Sequence, residues 1–273
     1  VWTWWMDRNY PDFTYYNGEY YLNAGMSYQD LAEKLQNPDI SHKKVKVTIP
    51  EGYTVFDIAS TLEKKNVCSA KDFLKACSTT EGYDYDWLAD FPKNDPHVGY
   101  VLEGFLFPAT YDFGENSKAT DIADVMLEAF DQRITDEVKT YCKQRGYTLY
   151  QFVTLCSIVQ KEALSKSSQG NIASTLENRL DKGMKIECDV TYYYAKALRD
   201  HGFSQSVYDA YYTYRCPGLP AGPIANPGTE IMTATVEHPS TDYLYFFSDL
   251  KGNFHFAATY GEFESLKAKY PWK

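Results

Sequence analysis

One amphipathic helix, predicted over residues 148–164, constrains the fold of this 273-residue chain more than any other segment. With 100° between successive residues, Phe152 and Val159 fall on one face of this helix and Lys161 falls on the opposite face. An apolar stripe of this kind is stable only when other elements cover it, so we expect the helix inside a packed core. Glu162 lies at the edge of the stripe rather than among the polar residues.

The position of Glu162 makes it a candidate catalytic residue. A carboxyl group at the edge of an apolar stripe is partly desolvated, which favours its protonated form and raises its pKa. A carboxylic acid that stays protonated near neutral pH can serve as a general acid. The alternative is an ordinary surface glutamate that is solvated or paired with Lys166 one turn later.

A second carboxylate is normally required when a glycosidic bond is hydrolysed. Three acidic residues are candidates: Glu103, which follows a leucine, and Glu187 and Asp189, which flank Cys188. Glu103 and Asp189 have an alternative role as structural hydrogen-bonding or capping groups. Since a sequence provides no distances, the partner of Glu162 stays open at this stage.

The composition of the chain excludes several classes of function. The formal net charge is −10, and an acidic surface repels phosphate groups, so neither nucleic acid nor an anionic membrane surface is an expected partner. The five histidines lack the spacing of metal ligands, and the sequence has neither a phosphate-binding loop nor a nucleophile elbow. We therefore expect no metal and no cofactor.

The six cysteines form no C-x-x-C pair, which excludes zinc-ribbon and redox motifs. Several lie beside apolar residues in helical patterns, so we predict free and mostly buried thiols. Their positions are 68, 77, 142, 156, 188 and 216.

Periodicity and turn signals divide the rest of the chain into mixed helical and extended elements. Strands are predicted at 19–23, at 43–50, at 102–111 (entering a turn) and as a hairpin over 243–258. Helices are predicted at 27–35, 54–65, 69–77, 120–145, 167–182, from about 228 to 238, and after Thr259. The segment 217–228 has four prolines and three glycines, which is typical of a stiff loop lining a binding cleft.

Five segments in the second half of the chain resemble the MltG/YceG-like family of murein transglycosylases. They occur in the family's order over residues 100–260, and five motifs in register are far more specific than any one of them. The segments are L-E-G-F-L-F-P-A-T-Y at 102–111, S-I-V-Q-K-E at 157–162, N-R-L-x-x-G-M at 178–184, G-L-P-A-G-P-I-A-N-P-G at 218–228, and E-H-P at 237–239 followed by Y-L-Y-F at 243–246.

The resemblance implies an α+β fold in which a small LysM-like module precedes a mixed α+β YceG-like catalytic domain. We expect an N-terminal region over residues 1–97, with the core of the LysM-like module at about 43–77. The catalytic domain is expected over residues 98–273.

The resemblance also implies an activity. Members of this family cleave the MurNAc–GlcNAc β-1,4 bond inside nascent peptidoglycan strands and leave 1,6-anhydro-MurNAc ends. The catalytic glutamate of the family corresponds to Glu162, which is expected to act first as general acid and then as base. Cleft residues expected to support it are Glu103, Asn178, Asp189, Tyr214 and Asn226. A non-catalytic peptidoglycan-binding protein and a hydrolytic muramidase are the alternatives.

The sequence departs from the family pattern at three places. Gln160 replaces the first glutamate of the family's E-K-E, so a carboxylate pair within this helix is not expected. The family's Q-T-D-P-T becomes E-C-D-V-T-Y-Y-Y at 187–194, and its Y-N-T-Y becomes Y-Y-T-Y at 211–214. The last two changes leave the preference for particular sugar subsites open.

The resemblance implies a location and partners as well. Peptidoglycan glycan strands are the expected substrate, and relatives are linked to the glycan-polymerising synthases of the elongation machinery. The sequence begins at Val1 without a signal peptide or an apolar run that could span a bilayer. We expect the chain to be a portion of a protein that works at the extracytoplasmic face, held there by an N-terminal transmembrane helix outside this sequence.

Overall fold

A computed structural model describes residues 2–14, 20, 22–23, 25–36, 44–163 and 165–272. Of the strand predicted at 19–23, Glu19 and Tyr21 lie outside these residues, and Tyr20, Leu22 and Asn23 are not in a strand. Within them the fold is mixed α and β, in agreement with the predicted class. Its elements are α1 (Trp2–Asn9), α2 (Tyr28–Gln36), β1 (Lys44–Thr48), α3 (Val55–Lys64), α4 (Ala70–Ala76), β2 (Thr110–Gly114), α5 (Ala119–Asp131), α6 (Asp136–Arg145), α7 (Leu149–Glu162), α8 (Lys166–Asp181), α9 (Asp189–Asp200), α10 (Gln205–Tyr211), α11 (Thr229–Val236), β3 (Tyr245–Ser248), β4 (Phe254–Ala257) and α12 (Tyr260–Lys269).

The two small sheets in the described part of the chain are both antiparallel. Strand β1 pairs with β2, and β3 pairs with β4 as the predicted hairpin. Between β1 and β2 the chain forms α3, α4 and a short 3-10 helix at Asp86–Asp90. The sheet formed by β1 and β2 thus joins residues on both sides of position 97.

The hydrophobic core is a continuous cluster that extends from Val47 to Met232. The central helix α7 supplies a large share of it, since Phe152 and Val159 are fully buried, as the apolar stripe predicted. Burying an aliphatic or aromatic side chain stabilises a fold by about 1.5–3 kcal/mol, so this stripe alone fixes α7 among its neighbours.

The strand predicted over 102–111 is wrong for most of its length. Residues 101–107 form a buried series of turns, and β2 begins only at Thr110. Gly104 has φ +88, and a Cβ there would lie 2.5 Å from Pro223. The backbone N–H of Leu102 donates to Cys77 and that of Phe107 donates to Met126, so these residues pair with separate segments rather than with one neighbouring strand.

Residues 120–145 are mostly helical, as predicted, but they form two helices instead of one. Helix α5 ends at Asp131, and Thr135 starts α6 by accepting a hydrogen bond from the Val138 N–H at 3.3 Å. Helices α9 and α10 were not predicted from the sequence. They pack against each other, and α9 also packs against α7.

Free thiols were predicted, and all six cysteines are free and at least partly buried. The described helices include none that is both long enough and apolar enough to cross a membrane.

Candidate functional site

The C-terminal end of α7 is held from two sides. On one side, Ser157 Oγ accepts a hydrogen bond from the Ile224 N–H at 3.0 Å, and Gln160 Oε1 accepts one from the Gly228 N–H at 3.0 Å. On the other side, Lys161 Nζ donates to the Gly52 carbonyl at 3.2 Å. The stiff 217–228 loop therefore packs along the last turns of α7, immediately before Glu162.

Glu162 is the last residue of α7 and is only partly exposed. Burial raises the pKa of its carboxyl group to about 7, and the nearby charge of Asp189 acts in the same direction. The Cys188 thiol and the Val190 backbone N–H face the carboxyl group and favour its ionised form, but their effect is smaller than that of burial. Glu162 is thus poised to exchange a proton near neutral pH.

The groups facing Glu162 come from the start of α9. Cys188 is the residue before that helix, and its backbone N–H donates to Thr213 Oγ1 at 3.1 Å. Asp189 is the first residue of α9, and its Oδ1 accepts a hydrogen bond from the Tyr214 hydroxyl at 3.0 Å. Glu162, Asp189 and Tyr214, three of the residues predicted for the site, therefore lie together.

Arg179 was not singled out from the sequence, although it stands in the N-R-L motif. It is 7% exposed and donates to the Lys185 carbonyl at 2.7 Å and to Glu187 Oε2 at 2.6 Å. These bonds hold the segment before Cys188, in which Glu187 has φ +53. The conformation that aims Cys188 and Asp189 at Glu162 thus depends on a buried arginine.

Glu103 and Asn226 form a separate and fully buried cluster. Glu103 accepts hydrogen bonds from the Val55 N–H at 2.8 Å and from Asn226 Nδ2 at 2.9 Å. Asn226 also donates to the Tyr53 carbonyl at 2.9 Å and accepts from the Leu106 N–H at 2.8 Å. Burial raises the pKa of Glu103 to about 7. These two side chains fasten the start of α3, the 101–107 turns and the 217–228 loop to one another.

Asn178 lies at a third place. Its Nδ2 donates to the carbonyls of Thr241 and Tyr243, at 2.9 and 3.0 Å. It therefore joins α8 to the segment that leads into β3. The predicted set thus divides into the Glu162 group, the Glu103–Asn226 cluster and Asn178.

A cavity of about 390 Å³ lies between the last turn of α7 and the turn after β1, and Glu162 is not among the residues that line it. Gln160 and Ala163 line it from one side, and Glu51, Tyr53 and Asp57 line it from the other. The alternative in which Glu162 pairs with Lys166 is not realised, because Lys166 Nζ lies 3.0 Å from Glu230 Oε1.

Comparison with known proteins agrees with the resemblance of the motifs. The profile of the YceG-like family matches residues 1–269. A Bacillus subtilis protein named endolytic murein transglycosylase is 31% identical over 265 residues, which cover 93% of this chain and 72% of that protein. A Streptococcus pneumoniae protein of the same name is 29% identical, and its match covers 92% of this chain. The chain spans about half of the Streptococcus protein, with 49% covered.

One solved structure is similar along almost the whole chain. It is a crystal structure of a putative YceG-like protein from Listeria monocytogenes, 30% identical, with a TM-score of 0.68. The match covers 97% of this chain and 89% of that one.

Proposed function

Because this chain belongs to the YceG-like family, we propose that it is a lytic transglycosylase that cuts peptidoglycan glycan strands internally. Two named relatives, from Bacillus and Streptococcus, are endolytic murein transglycosylases. The observation that carries the proposal is the half-buried Glu162 carboxyl, whose pKa of about 7 leaves a large protonated fraction at neutral pH. The bond cleaved is the β-1,4 linkage from MurNAc to GlcNAc.

One carboxyl group is sufficient for this reaction when the nucleophile belongs to the sugar. The protonated Glu162 donates its proton to the glycosidic oxygen as the bond from that oxygen to MurNAc C1 breaks. The resulting carboxylate then removes the proton of the MurNAc C6 hydroxyl, whose oxygen bonds to C1 and closes the 1,6-anhydro ring. Glu162 ends protonated, so no water and no cofactor are consumed.

Asp189 supports the developing positive charge in this scheme. Its carboxylate acts on Glu162 electrostatically from the start of α9, and the Tyr214 hydroxyl holds it in place. A fixed negative charge beside an oxocarbenium-like sugar stabilises the transition state more than the neutral ground state.

Glu103, Asn178 and Asn226 act through other groups in this proposal. Their hydrogen bonds go to the protein backbone and to each other. We assign them the role of positioning residues, which keep the 217–228 loop and the segment before β3 in place.

A hydrolytic muramidase is the second candidate, because Asp189 provides a carboxylate near Glu162. Digestion of purified sacculi in water enriched in heavy oxygen separates the two reactions. The lytic reaction yields anhydro-muropeptides without heavy oxygen, whereas hydrolysis yields reducing ends that carry it. Reducing ends alone would replace the proposed reaction with hydrolysis, and no released product would favour a non-catalytic binding protein.

The LysM-like module is also part of the proposal. Its support is the order β1, α3, α4, β2, with β1 and β2 paired in one antiparallel sheet. Because β2 supplies the second strand, a module built on this sheet extends beyond residue 97 to about residue 114. Binding of sacculi by a Glu162→Gln variant, compared with the same variant carrying an exposed substitution on α3, tests this assignment.

The location and partners follow from the substrate. An enzyme that cuts peptidoglycan works at the extracytoplasmic face of the cell membrane, and we propose that an N-terminal transmembrane helix anchors it there. Glycan-polymerising synthases of the elongation machinery are the proposed protein partners. Cross-linking in cells, with the synthases identified by mass spectrometry, tests this part separately.

A further inference from the structure

Four tyrosine rings form a row that starts next to Asp189 and extends along α9. From Tyr193 through Tyr192 and Tyr212 to Tyr214, successive ring centroids are 5.5, 5.6 and 5.3 Å apart. At the inner end, the Tyr214 hydroxyl donates to Asp189 at 3.0 Å. We call these four residues the tyrosine row.

Both ends of the row are exposed to a degree that core packing does not explain. Tyr193 is 66% exposed and Tyr214 is 40% exposed, while Tyr192 and Tyr212 present part of their surface. Aromatic rings in a contiguous exposed group are more typical of a binding surface than isolated ones are.

The row is also held rigidly from below. Tyr208 is 5% exposed and lies under Tyr192 and Tyr212, with centroid distances of 6.5 and 5.8 Å. The guanidinium groups of Arg199 and Arg215 lie 4.8 and 5.5 Å from the Tyr208 ring centroid. Rings fixed in this way lose little conformational entropy when a ligand stacks on them.

We propose that the tyrosine row is a glycan-binding platform, which holds sugar residues outside the pair that flanks the cleaved bond. This inference rests on the proposed function of the Glu162 site. Each ring offers a flat face for the C–H face of a pyranose and a hydroxyl group for the sugar hydroxyls. A strand that lies on the row reaches Asp189 and, beyond it, Glu162.

The charges around the row disfavour an anionic lipid surface as the ligand. Lys196 pairs with Asp200 at 2.5 Å, and Arg215 pairs with Asp209 at 2.6 Å. Two of the basic groups beside the row are thus paired with acids of the protein, and Asp189 adds negative charge at the inner end. Because Lys196 and Arg215 are already paired, they offer little attraction to an anionic lipid surface.

The platform predicts that affinity depends on glycan length. The variant Glu162→Gln, which should bind without cleaving, serves as the background for all measurements. Isothermal titration uses peptide-free MurNAc–GlcNAc strands of two lengths, one disaccharide and one octasaccharide. In this background Tyr193→Ala should raise Kd for the long strand about fivefold to tenfold and leave the disaccharide unchanged.

Two further variants separate stacking from other effects. Tyr193→Phe keeps the ring and should keep the affinity for the long strand within about twofold. Tyr260→Ala is the matched control, because Tyr260 is 61% exposed and starts α12 rather than belonging to the row. Because Tyr193 is exposed, adding Tyr193→Ala to the Glu162→Gln protein should leave the midpoint of its thermal unfolding unchanged.

Several results would overturn the platform. The first is an equal Kd for the long strand in the Glu162→Gln protein with and without Tyr193→Ala. The second is a loss of affinity in Tyr193→Phe as large as in Tyr193→Ala. The third is binding to phosphatidylglycerol vesicles that depends on Tyr193, without binding to glycans. These outcomes differ from a failure of the proposed function, which would appear as absence of anhydro products from the wild-type protein while long strands still bind through Tyr193.

Discussion

Replacing Asn226 by alanine tests whether this residue fastens the fold rather than contacts substrate. The substitution removes three buried hydrogen bonds: to the Tyr53 carbonyl at 2.9 Å, to Glu103 at 2.9 Å, and from the Leu106 N–H at 2.8 Å. The Tyr53 carbonyl keeps its bond from the Asn226 N–H, and Glu103 keeps the one from the Val55 N–H. The Leu106 N–H has no other acceptor among the described residues.

An unsatisfied buried donor costs about 1–3 kcal/mol, and each lost bond to a retained partner costs about 1 kcal/mol. We therefore expect Asn226→Ala to lower the free energy of unfolding by about 4 kcal/mol. In a chain of this size the midpoint of thermal unfolding should fall by roughly 10 °C. Urea unfolding followed by circular dichroism measures the first quantity, and a thermal scan measures the second.

Asn178→Ala is the control for this prediction. Its side chain is partly exposed and donates to two carbonyls, which water can reach more readily after the substitution. The expected loss is about 1–2 kcal/mol. A loss below about 1 kcal/mol for Asn226→Ala, together with weaker glycan binding by the folded variant, would refute the structural role.

Three further predictions concern proton transfer, a turn and a buried ion pair. Because burial raises the pKa of Glu162 to about 7, kcat should fall about tenfold per pH unit above that value in a sacculus digest; a flat profile from pH 6 to 9 would contradict an acid of this pKa. Gly104 (φ +88) and Gly202 (φ +90) have the same backbone conformation, but a Cβ on Gly104 would lie 2.5 Å from a carbon of Pro223, whereas a Cβ on Gly202 would meet no atom within 4 Å. In urea unfolding, Gly104→Ala should therefore lower the free energy of unfolding by at least about 2 kcal/mol more than Gly202→Ala. Equal losses would show that the contact with Pro223 is unimportant. Glu177 lies 2.9 Å from His238 and raises the pKa of the His238 imidazole above 6.5. The stabilisation from this ion pair is therefore present below pH 6.5 and is lost as the pH rises through the raised pKa. The substitution His238→Gln should lower the free energy of unfolding more at pH 5.5 than at pH 8.5, and the reverse order would exclude this pairing.

Helix starts were predictable from the sequence because their signals are local. Thr54, Thr148 and Thr259 each accept a hydrogen bond from the backbone N–H three residues later, which completes a capping box. Such a box needs only two side chains in the same turn. The stripe that placed Glu162 at an apolar edge is equally local, and its raised pKa follows from that position.

Elements that depend on distant partners were harder to predict. The 102–111 segment has the leucines and aromatic residues of a buried strand, but the backbone N–H of Leu106 donates to the side chain of Asn226, which lies 120 positions later. Helix α9 lacks a side-chain cap at Cys188 and contains three successive tyrosines, which favour strands in the absence of tertiary contacts.

The grouping of the site residues could not be derived from the sequence for the same reason. Glu103 and Asp189 were equivalent candidates for the partner of Glu162, since both are acids near apolar residues. Only the return of the chain through α8 brings Asp189 to the end of α7, while Glu103 contacts the start of α3. The buried Arg179, which supports that return, carries no signal of its own in a single sequence.

The central claim is that Glu162 performs both proton transfers, and rates of anhydro-muropeptide release from purified sacculi test it most directly. Wild type, Glu162→Gln and Glu230→Gln are compared by mass spectrometry at pH 6.5, where the wild-type acid is largely protonated. Glu230 is an exposed glutamate on α11 that pairs with Lys166, so its substitution is the matched control. We predict a loss of at least about 100-fold for Glu162→Gln and an unchanged rate for Glu230→Gln. Release by folded Glu162→Gln at the wild-type rate would contradict the account.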